Sequence, residues 1–318
     1  MVTSLRIVFF GTPEFAVPSL DALLAASPHT VAGVVTQPDR PRGRGQRVSD
    51  APVKARALAA GLPVLQPERL KDPAFLDSLA AWHADLGVVA AYGKILTDAV
   101  LSTPRLGMVN VHASLLPRYR GAAPVHRAII DGEITTGVTI MRVVKALDAG
   151  PMLAKDYRAI GPDDTSDDVE RDLARLGARL LVTVVGQIAS GSAKETAQDE
   201  TMATYAHRLM KDDGRIDWSV PAARLHNLVR GLHPWPHAFT YVRGQRLILH
   251  RAGVAADMTA RGEPGTILVA DGNRLVVATG DGALEITQLQ AEGKRPMTAR
   301  EFLAGHAIAP GDRLTAAP

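Results

Sequence analysis

Three side chains of the types that acyl-transfer chemistry uses lie at the ends of predicted strands. Residues 108–117 read M-V-N-V-H-A-S-L-L-P, so Asn110 and His112 alternate with apolar residues and project to the same side of an extended strand. Asp148 lies in a second predicted loop, L-D-A-G-P. An amide donor and an imidazole held by a carboxylate can stabilise developing negative charge and move a proton. The set is suited to a carbonyl group that passes through a tetrahedral intermediate, although the Asn-x-His spacing alone is also explained by a histidine that merely packs at a strand end.

Short apolar runs alternate with segments of helical character in the first half of the chain, and these elements must position the three groups. The runs L-R-I-V-F-F, V-A-G-V-V-T and D-L-G-V-V-A-A are rich in Val and Ile, and residues 18–26, 73–82 and 167–189 have helical patterns. The alternation predicts an α/β fold with a doubly wound, mostly parallel sheet. Ligands on such sheets bind beyond the carboxyl ends of the strands, where the three polar side chains are expected to converge.

A nicotinamide-dinucleotide enzyme is the obvious competitor for a sheet of this kind. After the first strand, however, the chain reads F-G-T-P-E-F-A, with one glycine where the G-x-G-x-x-G fingerprint needs three. Gly43 and Gly45 form G-R-G, but they follow the second strand and open no clear helix. The sequence therefore disfavours a dinucleotide cofactor.

Composition excludes several classes of protein. The 318 residues include no cysteine, which rules out disulfides, thiolate catalysis and cysteine-ligated metal centres. The net charge of +3 is too small to identify a nucleic-acid partner by itself. No apolar run reaches the ~18 residues that a membrane span needs, and a cytoplasmic monomer without membrane contact is expected. The ten histidines contain no H-E-x-x-H motif, and no metal site is expected.

The carboxy-terminal third has a different pattern. Runs such as A-F-T-Y-V, Q-R-L-I-L-H, G-T-I-L-V, R-L-V-V-A and A-L-E-I-T-Q-L are separated by turn sequences, which predicts five short strands and a small β-barrel. Gly186 and the segment G-S-A-K-E-T after residue 190 indicate the end of the long helix and a linker. The predicted organisation is a catalytic domain over residues 1–190, a linker over 191–209 and a second domain over 210–318.

A loop rich in proline, glycine and arginine follows the second predicted strand. Between residues 40 and 56 there are six basic residues and one acidic residue, Asp50. Arginine forks pair well with phosphates, so an exposed loop of this kind predicts contact with a nucleic acid. A solvated insertion is the alternative. The arginines assigned to this contact are Arg40, Arg42, Arg44 and Arg47.

The wider string around His112 resembles a known family. N-V-H-A-S-L-L-P-R-Y-R-G-A-A-P-V, followed by G-V-T-I-M and L-D-A-G-P-M, closely resembles the formyltetrahydrofolate-dependent formyltransferases. The opening L-R-I-V-F-F-G-T-P-E-F-A-V, the loop T-Q-P-D-R-P-R-G-R-G and the later R-I-D-W and P-G-T-I also match, so the resemblance runs from about Leu5 to about Arg313. It implies that Asn110, His112 and Asp148 are the catalytic set.

The same resemblance implies a formyl donor and a formyl acceptor. The donor would be 10-formyltetrahydrofolate, bound by Ser114, Leu115, Leu116, Pro117, Val89, Tyr92 and Gly93. The acceptor would be the α-amino group of methionyl initiator tRNA, contacted by the loop around Arg44 and by an OB-like carboxy-terminal domain. This loop departs from the family's usual pattern at Gln46, where a lysine is common, and at Asp50, an unexpected acid.

Two alternatives stay open at this point. One is a formyl-folate enzyme that formylates a small-molecule amine or hydrolyses the formyl group. The other is a non-catalytic RNA-binding protein that has kept the fold.

Overall fold

The computed structural model describes residues 4–39, 41–42, 47–258 and 262–318. The chain divides into two compact units, each assembled from separated segments. The first unit comprises the residues up to Gly121 together with Thr136–Arg158 and Glu170–Tyr205. The second unit comprises Ala122–Thr135, Ala159–Val169 and Ala206–Pro318.

Strands and helices alternate through the first part of the chain, and strands predominate in the last part. The strands are β1 (Arg6–Gly11), β2 (Thr30–Val35), β3 (Pro41–Arg42), β4 (Arg47–Val48), β5 (Val64–Leu65), β6 (Leu86–Ala90), β7 (Met108–His112), β8 (Arg120–Gly121), β9 (Thr135–Arg142), β10 (Met152–Ala159), β11 (Tyr205–Ala206), β12 (Ala238–Val242), β13 (Gln245–Val254), β14 (Ile267–Asp271), β15 (Arg274–Ala278), β16 (Ala283–Ala291), β17 (Met297–Thr298) and β18 (Leu314–Thr315). The helices are α1 (Val17–Ala25), α2 (Pro52–Ala59), α3 (Pro73–Ala80), α4 (Asp98–Leu101), α5 (Pro124–Ile130), α6 (Ser166–Ala189), α7 (Ala222–Gly231) and α8 (Ala299–Gly305).

The first unit is organised around a sheet in the order β10-β9-β7-β6-β1-β2-β5. Neighbouring strands pair in parallel through the run β7, β6, β1, β2 and β5, whereas β9 pairs antiparallel with β7. Ile7 and Phe9 of β1 pack in one apolar cluster with α1, α2 and α6, whereas Val8 and Phe10 pack in another with α3. Because both faces of the sheet are covered, its strands are nearly continuous apolar runs. The predicted doubly wound, mostly parallel sheet is confirmed.

The long helix α6 supports the strand that carries the polar side chains. It matches the helix predicted over residues 167–189 and begins one residue earlier. Leu181 and Val184 of this helix share an apolar cluster with Val109 and Val111 of β7. Burial of these four side chains holds β7 from one side and leaves its alternate residues for the other side.

The second unit contains an antiparallel sheet in the order β14-β15-β16-β13-β12-β18, with β17 paired to β16. An isolated bridge between Thr266 and Arg313 joins residues next to β14 and β18, the two ends of this order, so the sheet curls back on itself. Its interior is an apolar cluster that includes Leu249 and Leu284 and receives Phe302 of α8. The predicted small β domain is confirmed as an antiparallel half-barrel. None of the helices in the described part of the chain is long and apolar enough to cross a membrane.

The segment predicted as a linker begins as part of the first unit. Residues 191–205 belong to that unit, and Arg142 donates a hydrogen bond from Nε to Glu195 at 2.7 Å. Thr196 also pairs with Met152 at the start of β10. The proposed boundaries near 190 and 210 remain a prediction, because both compact units are assembled from separated segments of the chain.

Candidate active site

The strand β7 carries two polar residues on one side. Val109 and Val111 lie in the cluster under α6, while Met108 lies in the cluster on the other face of the sheet. Strand alternation therefore places Asn110 and His112 on the same side as Met108, toward the carboxyl end of β7. The parallel register pairs Asn110 with Val89 of the neighbouring strand β6. The two polar residues thus lie at the carboxyl edge of the parallel strands, where α/β sheets bind ligands.

His112 is held between two oxygen acceptors. Its side chain is only 6% exposed. Nε2 lies 3.0 Å from the carbonyl oxygen of Tyr119, which can only accept, so Nε2 is the donor in this hydrogen bond. Nδ1 lies 3.7 Å from Oδ2 of Asp148. The hydrogen bond to the backbone carbonyl therefore orients the ring, and the carboxylate lies beyond hydrogen-bond distance beside the nitrogen that would carry a second proton.

The Asp148 loop is fixed by hydrogen bonds and by a close backbone approach. Oδ2 of Asp148 accepts a hydrogen bond from the N–H of Gly121 at 2.8 Å. The residue has φ = 47°, a left-handed conformation that aspartate tolerates better than most side chains. Two residues further on, a Cβ on Gly150 would lie 1.9 Å from the carbonyl oxygen of Arg142. Only glycine fits there, so the loop is held against the end of β9.

A buried arginine and a glutamine support this loop, and the sequence analysis missed both. Gln198 donates from Nε2 to the carbonyl oxygens of Asp148 at 2.7 Å and Gly150 at 2.8 Å. Its Oε1 accepts from Nε and Nη2 of Arg120 at 3.0 and 2.8 Å. Arg120 is 1% exposed and also forms a two-bond pair with Glu200, which lowers the pKa of that carboxyl. The partners of Arg120 lie about 80 residues away in the chain, so no local pattern marks the contact.

The S-L-L-P segment assigned to the folate site is braced from within. Ser114 is fully buried and donates from Oγ to the carbonyl oxygen of Arg118 at 2.6 Å. Thr139 of β9 donates to the carbonyl oxygen of Ser114 at 2.7 Å and accepts from the N–H of Leu116 at 3.2 Å. Lys155 donates to the carbonyl oxygen of Leu116. Leu116 is buried, whereas Leu115 and Pro117 are half-buried. Leu115 and Pro117 are therefore the members of the segment with side chains partly open to a ligand.

The other residues assigned to folate lie after β6. The Tyr92 ring is 2% exposed and packs edge-on against Phe10, with ring centres 5.4 Å apart. Burial raises the pKa of its hydroxyl to about 12, and that hydroxyl has no hydrogen-bond partner among the described residues. The tyrosine ring belongs to the core, together with Val89. Any contact with a ligand here therefore involves the backbone rather than the Tyr92 ring.

The backbone after β6 is open on one side. Gly93 has φ = 85°, and a Cβ at this position would meet only Nε2 of Gln37, at 3.7 Å. The carbonyl oxygen of Tyr92 accepts from Thr12 Oγ1 at 3.2 Å and from Gln37 Nε2 at 3.0 Å. Thr12 and Gln37 follow β1 and β2, so they extend the same edge of the sheet. Sequence reasoning did not select them, because their role depends on strand order.

The arginine loop is described only in part. Arg40 and Arg44 lie outside the described residues. The backbone of Arg42 in β3 pairs with that of Arg47 in β4, which forms a short antiparallel pair. Contact of the four arginines with a nucleic acid stays a prediction.

Comparison with known proteins identifies the family to which this architecture belongs. Residues 5–185 match the family model described as formyl transferase, and residues 208–307 match the model of the formyl transferase C-terminal domain. The methionyl-tRNA formyltransferase of Moorella thermoacetica is 46% identical over 310 residues, which cover 98% of this chain and 99% of that protein. The methionyl-tRNA formyltransferase of Stutzerimonas stutzeri is 50% identical over 297 residues, 93% of each chain.

Solved structures show the same fold at low sequence identity. The sugar 3N-formyl transferase WlaRD, determined in the presence of dTDP and 5-N-formyl-THF, superposes with a TM-score of 0.67 at 17% identity, covering 92% of this chain and 99% of the other. Glycinamide ribonucleotide transformylase 1 from Symbiobacterium toebii has a TM-score of 0.52 at 23% identity over 62% of this chain and 95% of its own. With the family models covering both parts of the sequence and two relatives matching it almost end to end, the chain belongs to the formyl transferase family, among the methionyl-tRNA formyltransferases.

Proposed function

We propose that this protein transfers the formyl group of 10-formyltetrahydrofolate to the α-amino group of methionyl initiator tRNA, as required for the initiation of translation. The observation that carries the proposal is the pairing of His112 with Asp148 beside Asn110, at the carboxyl edge of a sheet with this family's architecture. The near end-to-end similarity to methionyl-tRNA formyltransferases supports the choice of acceptor.

The chemistry begins with attack of the neutral amine on the formyl carbon. A new carbon–nitrogen bond forms, and the formyl oxygen takes up negative charge in a tetrahedral intermediate. Asn110 is half-buried, and its amide is paired with none of the described residues, so it can donate to that oxygen. Collapse of the intermediate breaks the bond to N10 of the folate. The proton lost by the attacking amine is delivered to N10, which leaves tetrahydrofolate and the formylated amine.

His112 is the group assigned to the proton and to part of the oxyanion charge. Asp148 faces Nδ1, so its carboxylate stabilises positive charge on the ring during the reaction. Nε2 donates to the Tyr119 carbonyl. To reach the substrate, this hydrogen bond must be exchanged for one to the reacting group or to a water beside it. We therefore assign Tyr119 as the residue whose carbonyl orients the ring.

The folate is assigned to the same edge of the sheet. Ser114, Leu115, Leu116 and Pro117 border one side through a segment fixed by Thr139. Gly93 provides an open stretch of backbone on the side of β6. A flat pterin ring suits such a border, because small side chains and peptide groups can approach both its faces and its edge.

The tRNA is assigned to the arginine loop and to the second unit. Arg40, Arg42, Arg44 and Arg47 supply fixed positive charge for phosphates, and their planar forks allow two-point pairing. Small antiparallel barrels are a fold often used for nucleic acids.

The decisive experiment compares formyl acceptors. The protein is incubated with 10-formyltetrahydrofolate and either methionyl initiator tRNA, methionyl elongator tRNA, glycinamide ribonucleotide or an amino sugar, and the formylated product and free formate are measured. Formylation of the initiator tRNA is expected. Formylation of a small amine alone would replace the acceptor, formate alone would indicate a hydrolase, and tRNA binding without any product would indicate a non-catalytic protein.

The catalytic residues are tested in single-turnover reactions. Asn110→Ala and His112→Ala should each slow formyl transfer about 100- to 1,000-fold, the usual effect of removing one oxyanion donor, with little change in folate affinity. Asp98→Asn, at an exposed position of the first unit, is the control. An unchanged single-turnover rate in either active-site variant would refute its assignment.

A further inference from the structure

Three histidines of the second unit converge although they are not part of the proposed active site. His233 and His237 flank the sequence P-W-P, and His250 lies on β13. One ring nitrogen from each of the three lies within 4.8 Å of those of the other two. The ring centres are 5.3 Å apart for His233 and His237 and 4.4 Å apart for His237 and His250. The expectation of no metal site overlooked the H-x-x-x-H spacing of His233 and His237. Two of the three residues between them are prolines, so the pair does not lie on a helix as in the usual metal-binding motif.

Two of these rings have a buried nitrogen without a hydrogen-bond partner among the described residues. Nδ1 of His233 and Nδ1 of His237 are buried and have no hydrogen-bond partner among the described residues. Burial of an unpaired imidazole nitrogen is destabilising, and native proteins normally avoid it. Two such atoms in adjacent rings indicate a ligand that accepts their lone pairs.

The third ring is held in the tautomer that suits the same role. Nε2 of His250 lies 3.0 Å from Oε1 of Gln290. The orientation of this amide is set because Nε2 of Gln290 donates to the carbonyl oxygen of Lys294 at 2.6 Å. Oε1 therefore accepts, His250 donates from Nε2, and its lone pair remains on Nδ1. A hydrogen bond of this kind from the second nitrogen is the usual support of a metal-bound histidine.

We propose that His233, His237 and His250 bind one divalent transition-metal ion, with Zn²⁺ as the favoured ion. Imidazole nitrogens are preferred ligands of zinc at about 2.0–2.1 Å, and three of them leave a fourth position for water or another ligand. A tetrahedral site brings ligand nitrogens to about 3.3 Å from one another, so the rings close in by up to about 1.5 Å on binding. The site ties β13 to the segment that precedes β12.

Charged groups and a cavity lie beside the cluster. Asp167, Asp168 and Arg251 all act electrostatically on His233, so charges of both signs lie near this ring. His250 also lines a cavity of about 300 Å³ together with Arg230 and Arg251, whereas His233 and His237 do not line it.

The test uses full-length protein without a polyhistidine tag, stripped with a chelator and titrated with Zn²⁺ against a chromophoric competitor. One zinc per chain is expected, together with a rise in the midpoint of thermal unfolding that increases with free zinc. Co²⁺ serves as a second probe, because its visible spectrum distinguishes a tetrahedral nitrogen site from a six-coordinate surface site.

The variants are His237→Asn and His233→Asn, with His207→Asn as the matched control. Asparagine is chosen because His237 has φ = 65°, which asparagine tolerates. Each ligand variant should bind zinc at least about 100-fold more weakly, beyond the roughly 10- to 100-fold effect of altering only a ligand's hydrogen-bond partner. His207 is exposed and outside the cluster, so its variant should bind as the parent does.

Three results would overturn the proposal. They are a parent that binds no zinc at micromolar concentration, a ligand variant with the affinity of the His207→Asn control, and a six-coordinate Co²⁺ spectrum in the parent. The last result needs no variant, so the proposal stays testable even if the substitutions prevent folding. Formyl transfer is measured in a separate assay, and neither the presence nor the absence of that activity bears on zinc binding at this site.

Discussion

Replacing Asp148 by asparagine should remove the charge beside His112 while it preserves the loop. Asp148 has φ = 47°, a conformation that asparagine also adopts readily. The amide oxygen of asparagine can still accept the hydrogen bond that Gly121 donates to Oδ2 at 2.8 Å. The substitution therefore tests the carboxylate charge and leaves the backbone geometry in place.

The magnitude follows from the separation of the two groups. Oδ2 of Asp148 lies 3.7 Å from Nδ1 of His112. At an effective dielectric constant of about 20, unit charges at this separation attract each other by about 4 kcal/mol. Because the Asp148 side chain is 15% exposed, water compensates part of the loss. We expect formyl transfer to slow by about 100- to 1,000-fold, since each factor of ten in rate corresponds to about 1.4 kcal/mol.

The assay is single-turnover formylation with the enzyme in excess over methionyl-tRNA and with saturating formyl donor. Folate affinity and the midpoint of thermal unfolding should match the parent, because the lost interaction strengthens only as charge develops on His112. Asp98→Asn is the matched control, since Asp98 is highly exposed and pairs with Lys145 at 3.4 Å. A rate for Asp148→Asn equal to that of this control would refute the catalytic use of the carboxylate.

Three further predictions concern the loop, the network behind the site and the second unit. Arg44→Ala should lower the slope of log affinity for tRNA against log salt by about one, because one fewer counterion is released; coincident slopes in a binding series would remove the case for phosphate contact. Gln198→Leu removes the two hydrogen bonds that the Gln198 amide donates to the carbonyl oxygens of Asp148 and Gly150. It should reduce kcat about 10-fold at similar KM, and a change in KM alone would point to a role in binding instead. Burial lowers the pKa of His126 from 6.5 to about 4, so the unfolded chain binds more protons between these values and stability falls as the pH falls through this window. Between pH 7 and pH 5 this one group should cost about 2 kcal/mol, and urea unfolding of His126→Gln should show a correspondingly smaller loss; equal losses in parent and variant would contradict it.

Local patterns in the chain were sufficient to predict the main sheet of each unit. The strands β1, β2 and β6 are apolar runs because both faces of the sheet are buried. Burial leaves this pattern in the local sequence, where it can be recognised without knowledge of distant contacts. Strand alternation likewise placed Asn110 and His112 on one side before any neighbour was known. The short runs and tight turns after residue 238 indicated the antiparallel sheet for the same reason.

Contacts between distant segments were decided by the tertiary structure. The Tyr92 ring carries no local sign that it packs against Phe10, which lies on a strand more than 80 residues earlier. Gln198 was predicted to lie in a linker, yet it holds the Asp148 loop across 50 residues of sequence.

The three histidines combine a local sequence pattern with a contact between distant segments. The spacing of His233 and His237 can be read from the chain, but the convergence of His250 depends on how β13 folds back beside them. Propensity and periodicity report on neighbours within a few residues. Strand order and loop packing decide which distant groups meet, because those contacts form only when the whole unit buries its core.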